Sequence, residues 1–142
     1  MTRRTALCLF PLALLAGCTS RGPTLPTAVE AKGKILLPDG RPLPGGRVTL
    51  NPQAATEVEA FGDVNPDGTF ALTTYKPGDG AVPGNYVVTV SPFNYRSKTG
   101  SPTKIAAAGQ IPARYGDTTT SDLKVTINAD GGNDLTLKLR AR

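Results

Sequence analysis

The stretch NPDGTFALTTYKPGDGAVPGNYVVTVS, residues 65–91, contains two runs in which every second side chain is apolar. Phe70 and Leu72 recur in the first, and Tyr86, Val88 and Val90 in the second. Successive side chains of a strand point to opposite faces, so this period predicts two half-buried strands, with Thr69, Thr73, Thr89 and Ser91 turned towards water. Asn65-Pro66-Asp67-Gly68 and Pro83-Gly84 supply turn chemistry before each run. The intervening residues 76–82 are too short and glycine-rich for a third strand and read as a connecting loop at one end of the fold.

Working outward, the same period recurs. Val29, Ala31, Gly33, Ile35 and Leu37 alternate with Glu30, Lys32 and Lys34, giving a first strand with one apolar and one charged face. After turn signals at Asp39-Gly40 and Gly45-Gly46, Val48 and Leu50 resume the alternation, and these two strands are expected to pair as a hairpin. Residues 57–64 are a weaker strand, with Val58, Ala60 and Val64 in phase and Phe61 out of phase, which predicts a bulge or an edge position near Gly62. Near the end of the chain, Leu123, Val125 and Ile127 precede Leu135, Leu137 and Leu139 across the turn at residues 129–132, and a second hairpin is expected there. Residues 92–121 show little period, and a loop of that length is commonly functional or mobile. Phe93, Tyr95, Arg96 and Lys98 mix aromatic and cationic groups and form the candidate binding loop, against the plainer reading of a solvated loop.

The chain has 142 residues, 16 glycines, 13 prolines and no histidine. That length accommodates one domain plus appendages, and the composition suits short strands joined by tight turns. Without histidine, the commonest general base and metal ligand is missing, so no catalytic residue, metal or cofactor is assigned. Asp39-Gly40, Asp67-Gly68 and Asp79-Gly80 read as turns, since none continues into the oxygen-ligand spacing of a calcium loop. Glu57 and Glu59 read as charges on a solvated edge. Lysines and arginines are scattered among acids, a pattern that argues against nucleic-acid binding.

Residues 1–17 read as a targeting segment. Arg3 and Arg4 precede the apolar run 6–16, which is shorter than the ~20 residues of a membrane-spanning helix. Leu15-Ala16-Gly17-Cys18 resembles the bacterial lipobox. That resemblance implies removal of residues 1–17, a diacylglyceryl thioether on Cys18 and acylation of the new amino terminus, with more than one chain giving a stable anchor. Thr19, rather than an acidic residue, follows the cysteine and implies passage to the outer membrane of the cell envelope. Cleavage would leave 14 basic and 11 acidic residues, a net charge of +3, and no disulfide, because Cys8 is lost and Cys18 is modified. Residues 18–28, with Pro23 and Pro26, read as a flexible tether reaching ~33 Å when extended.

Gly33, Ile35, Asp39, Gly40, Pro42, Leu43, Pro44, Gly45, Val48 and Leu50 together resemble the opening motif of carboxypeptidase regulatory-like, transthyretin-like domains. Asp67-Gly68 with Phe70 and Leu72, and Pro83-Gly84 with Tyr86 and Val88, are similar to later signatures of that family. Ile111-Pro112-Ala113-Arg114-Tyr115, followed by Ser121 and Leu123, is similar to an element of planctomycete-type lipoproteins carrying this domain, where Tyr115 is expected to cover the core edge and tie its hydroxyl to backbone. The resemblance implies an all-β fold, an immunoglobulin-like, transthyretin-like β-sandwich of about seven strands over residues 29–142. Transthyretin-like hydrolases need histidines and a C-terminal tetrapeptide that this chain does not supply, so that activity is not carried over. The expected function is a non-catalytic, lipid-anchored envelope module with a protein or polysaccharide partner. A carbohydrate-binding module and, more distantly, a hydrolase are the competing readings, and the oligomeric state stays open.

Overall fold

A computed structural model describes residues 24–55, 58–94 and 101–141. Its strands are β1 (Ala31–Leu36), β2 (Arg47–Pro52), β3 (Ala60–Asp63), β4 (Thr69–Ala71), β5 (Gly84–Ser91), β6 (Phe93–Asn94), β7 (Thr103–Lys104), β8 (Lys124–Ile127) and β9 (Asn133–Lys138). Seven of them form two sheets, ordered β4-β1-β9 and β3-β2-β5-β8, while β6 and β7 pair as a small separate hairpin. The chain is an all-β sandwich.

One apolar cluster fills the space between the sheets. Ala31, Ile35, Phe70, Leu72, Leu137 and Leu139 enter it from the first sheet and its continuations, and Val48, Leu50, Ala60, Tyr86, Val88, Val90 and Ile127 from the second. Each fully buried aliphatic or aromatic side chain contributes about 1.5–3 kcal/mol. The expected inward faces of β1, β2 and β5 are all observed. Thr69, Thr73, Thr89 and Ser91 are half-buried rather than fully solvated, because neighbouring strands and turns flank them.

Both expected hairpins are corrected. β1 does not pair with β2 but runs parallel to β9 and antiparallel to β4, while β2 lies between β3 and β5. The connection at residues 37–46 first turns back, with the Leu43 N–H donating to the Ile35 carbonyl at 3.1 Å, and buries Leu43 completely. Gly45 and Gly46, at φ of 143° and 100°, then carry the chain across to the other sheet, a bend that L side chains rarely allow. Likewise β8 pairs with β5 and β9 with β1. The crossing between them is held by Asn133, whose Nδ2 donates to the Asn128 carbonyl at 3.1 Å while its Oδ1 accepts the Asn128 N–H at 2.8 Å.

The β2–β3 register is regular, so there is no bulge at Gly62, and β3 is an edge strand. Phe61 is out of phase because it lies on the outer face, where the Arg47 guanidinium sits 4.5 Å from its ring centroid. Arg47 Nε also donates to Asp63 at 2.8 Å.

In place of a featureless loop, the described residues 92–94 and 101–121 hold β6, β7 and two 3-10 turns, Ala106–Gln110 and Ala113–Gly116. Ala107, Tyr115 and Ser121 anchor the segment as buried residues.

Candidate functional site

Strand directions sort the connections into two ends. The turn at 64–68 and the segments 37–46, 92–94 and 101–121 gather at the end where β1 and β5 finish. The segments 53–55, 58–59, 72–83 and 128–132 gather at the end where β1 and β5 begin. The chain enters the sandwich at this second end, where Val29 and Ala81 exchange backbone hydrogen bonds of 2.9 and 3.0 Å. The eight residues of β5 separate the two ends by about 26 Å.

At the far end, three connections converge on an open groove of about 390 Å³, lined by Leu37, Pro42, Pro44, Pro66, Ala106 and Ala107, with Arg41 and Gln110. Arg41 ties two of them together: its Nε donates to Asp39 at 2.8 Å and its Nη2 to Gln110 Oε1 at 3.0 Å. The Arg41 side-chain hydrogen bond, helped by the Arg41 N–H, holds the exposed Asp39 carboxyl below the usual carboxylate range. Ile105 seats the segment, its N–H donating to the Pro92 carbonyl at 2.9 Å. Prolines and alanines give the groove a stiff apolar wall, and Arg41 and Gln110 give it polar groups at the rim.

Of the candidate binding loop, Phe93 lies at this far end, 37 % exposed and paired with Lys104 across β6 and β7. Tyr95, Arg96 and Lys98 lie outside the described residues, as does the candidate lipid-attachment residue Cys18. Sequence reasoning missed the groove. Its residues come from positions 37 to 110, and no period or motif links them until the sandwich is closed.

The aspartates of the three Asp-Gly pairs serve backbone. Asp67 accepts from the Thr69 N–H and hydroxyl at 3.0 and 2.6 Å, and that hydroxyl is the main cause of its lowered pKa. Asp79 accepts from the N–H groups of Thr74, Tyr75 and Lys76 at 2.7, 3.0 and 2.9 Å. Burial pushes the Asp79 carboxyl up, but these donors outweigh it and hold the group low. Among the described residues, no three Asp, Glu, Cys or His side chains come together as a metal site.

No family model matches the chain, and no curated protein or solved structure matches it. Among the described residues no helix is long and apolar enough to cross a membrane.

Among the described residues the exposed aromatics Tyr75 and Phe93 sit at opposite ends of β5. Arg114 stacks over Tyr115, its guanidinium carbon 4.8 Å from the ring centroid, and its Nη2 donates to the Arg140 carbonyl at 2.8 Å. That cluster closes the sandwich edge. The groove and Phe93 lie at the same end of the sandwich, where apolar side chains are bordered by Arg41 and Gln110.

Proposed function

We propose that the chain is a non-catalytic accessory module of a bacterial cell envelope, anchored by lipid on Cys18 and offering its far end to a protein or polysaccharide partner. The single observation that carries this reading is the succession of Arg3 and Arg4, the apolar run 6–16 and Leu15-Ala16-Gly17-Cys18 at the amino terminus. The entry of the chain at Val29 supports it, since a tether leaving that end would keep the groove and Phe93 on the side away from the lipid.

The finer fold reading is transthyretin-like. In the immunoglobulin constant-type order the first, second, fourth and fifth strands share a sheet. Here the first and second of the seven sandwich strands lie in opposite sheets, and the first runs parallel to the last. That order supports the transthyretin-like topology suggested by the sequence motifs, within a two-sheet architecture of immunoglobulin-like kind. Tyr86, fully buried with its hydroxyl donating to the Val82 carbonyl at 2.7 Å, fits the P-G-x-Y signature as a structural residue.

The carbohydrate-binding reading would rest on Phe93 together with Tyr95, which lies outside the described residues, and the hydrolase reading has no histidine to act as base. Mass spectrometry of the mature amino terminus is expected to show residues 1–17 removed and acyl groups on Cys18. Cys18→Ala is expected to abolish recovery in the membrane fraction; recovery equal to that of the parent chain would exclude the anchor. Crosslinking in intact cells, followed by affinity recovery, is expected to capture a partner through Arg41 or Gln110 photoprobes and not through a probe at Tyr75.

A further inference from the structure

The two sides of the sandwich are closed differently. On one, β3 and β4 are stitched by Phe61 and Thr73, which exchange backbone hydrogen bonds of 3.0 and 2.8 Å. On the other, β8 and β9 face each other without a backbone hydrogen bond among the described residues, and the gap between them is lined by Leu123, Lys124, Thr136 and Lys138. β9 is the longest sheet edge in the sandwich, six residues against three in β4 and four in each of β3 and β8. It carries no proline, and its register with β1 runs without a bulge from Asn133 to Lys138. The turn of Arg114 and Tyr115 covers the backbone of Arg140 just past the strand, and along Asn133–Lys138 charge is the one blunting device found among the described residues.

The direction of its free backbone groups follows from one bond. The Leu139 N–H donates to the Leu36 carbonyl at 2.9 Å. Backbone groups alternate along a strand, so residues 137 and 135 also address β1, and those of Asp134, Thr136 and Lys138 point outward. Among the described residues, of these groups only the Asp134 N–H is otherwise engaged, with the Gly132 carbonyl at 3.0 Å. The side chains of Asp134, Thr136 and Lys138 are exposed on the outer face, while Leu135 and Leu137 point towards the core.

The geometry points to a second copy of this chain as the occupant of the β9 edge, paired antiparallel about a two-fold axis through Thr136. In that register Asp134 lies opposite Lys138 of the other copy, Thr136 opposite Thr136, and Lys138 opposite Asp134. On the core side Leu135, half-buried in the single chain, lies opposite Leu137 of the other copy. Thr136 becomes a hydrogen-bonded pair position, with Cα atoms about 5.5 Å apart. Edge lysines discourage pairing by leaving a charge that a neighbouring strand must meet. In this register each Lys138 meets Asp134 of the other copy, which gives two opposite-charge pairs of the kind that stabilise antiparallel strands. The product is one six-stranded sheet, β4-β1-β9 continued by β9-β1-β4 of the second copy. This reading does not depend on the lipid anchor or on the groove.

The test uses the full chain with Cys8→Ser and Cys18→Ser, so that neither of its two native thiols remains. Adding Thr136→Cys is expected to give a disulfide-linked dimer on mild oxidation, since the paired Cα separation lies within the range a disulfide spans. Adding Thr126→Cys, exposed on β8, is expected to give little. In sedimentation, Asp134→Lys alone is expected to weaken the dimer at least about tenfold by setting two lysines opposite each other. Combining it with Lys138→Asp is expected to restore the affinity to within about threefold, and this double variant also controls for folding. A parent chain that stays monomeric throughout, equal crosslinking from Thr126→Cys, or a dimer indifferent to Asp134→Lys would each overturn the proposal.

Discussion

Tyr115 is fully buried, yet its hydroxyl is a junction: it accepts the Arg140 N–H at 2.9 Å and Arg114 Nη2 at 2.8 Å. The motif around it suggested a ring over the core edge and a hydroxyl tied to backbone, and its position agrees. Tyr115→Phe keeps the ring and removes the acceptor, so it is expected to cost about 1–2 kcal/mol in urea unfolding. Asp79 works similarly at a turn, where three N–H groups converge on one carboxylate. Its lowered pKa means that the folded state prefers the ionised form, so its contribution is complete above the unfolded value of about 3.9 and is lost as pH falls through the lower folded value. Asp79→Asn is expected to lower stability at pH 7 and to flatten the acid limb of a stability-against-pH curve below about pH 4. Asp79 was legible as a turn residue from its neighbour Gly80, but the number of donors it serves was not, because those come from the chain folding back at Thr74.

At the scale of elements, alternation identified the seven strands of the sandwich and, for β1, β2 and β5, the inward face. It did not identify partners. Each strand carries one apolar face that any other strand of the same period could cover, and a turn signal between two strands looks the same whether the chain folds back or crosses over. Residues 37–46 and 128–132 both cross over, the first by burying Leu43 and the second through the Asn133 side chain. The parallel pair β1–β9 is the longest-range contact of this kind, and Gly33 makes it possible. A Cβ at Gly33 would run into the Leu135 carbonyl, in backbone that cannot give way. Gly33→Ala is accordingly expected to destabilise the protein by about 2 kcal/mol or more, within the range for overpacking in a tight core, with amide exchange accelerated first in β9.

For the whole molecule, two sheets closed on one apolar cluster account for stability without a crosslink. Cys8 and Cys18 are the only cysteines, and both precede residue 24, the first described. The thermal midpoint is therefore expected to be the same with and without reductant; a drop on reduction would mean that the sandwich alone does not hold. The two ends of the molecule differ in kind. One receives the chain at Val29, and the other gathers the groove of Leu37, Pro42, Pro44 and Pro66 against Ala106 and Ala107. Phe93 was legible as a loop aromatic, but its pairing with Lys104 was not, since no alternation in residues 92–121 marks those two short strands.

From the sequence alone came the all-β class, the inward positions of the central strands, the turns, and the amino-terminal pattern from which the anchoring proposal is drawn. Those properties are local: a period of two, a glycine after an aspartate, and a cysteine behind small residues act through near neighbours. Tertiary structure decided which strand pairs with which, which edge stays open and which loops meet. These depend on where Leu43, Asn133 and Gly33 come to lie when distant segments compete for the same space, and no short stretch of chain carries that outcome.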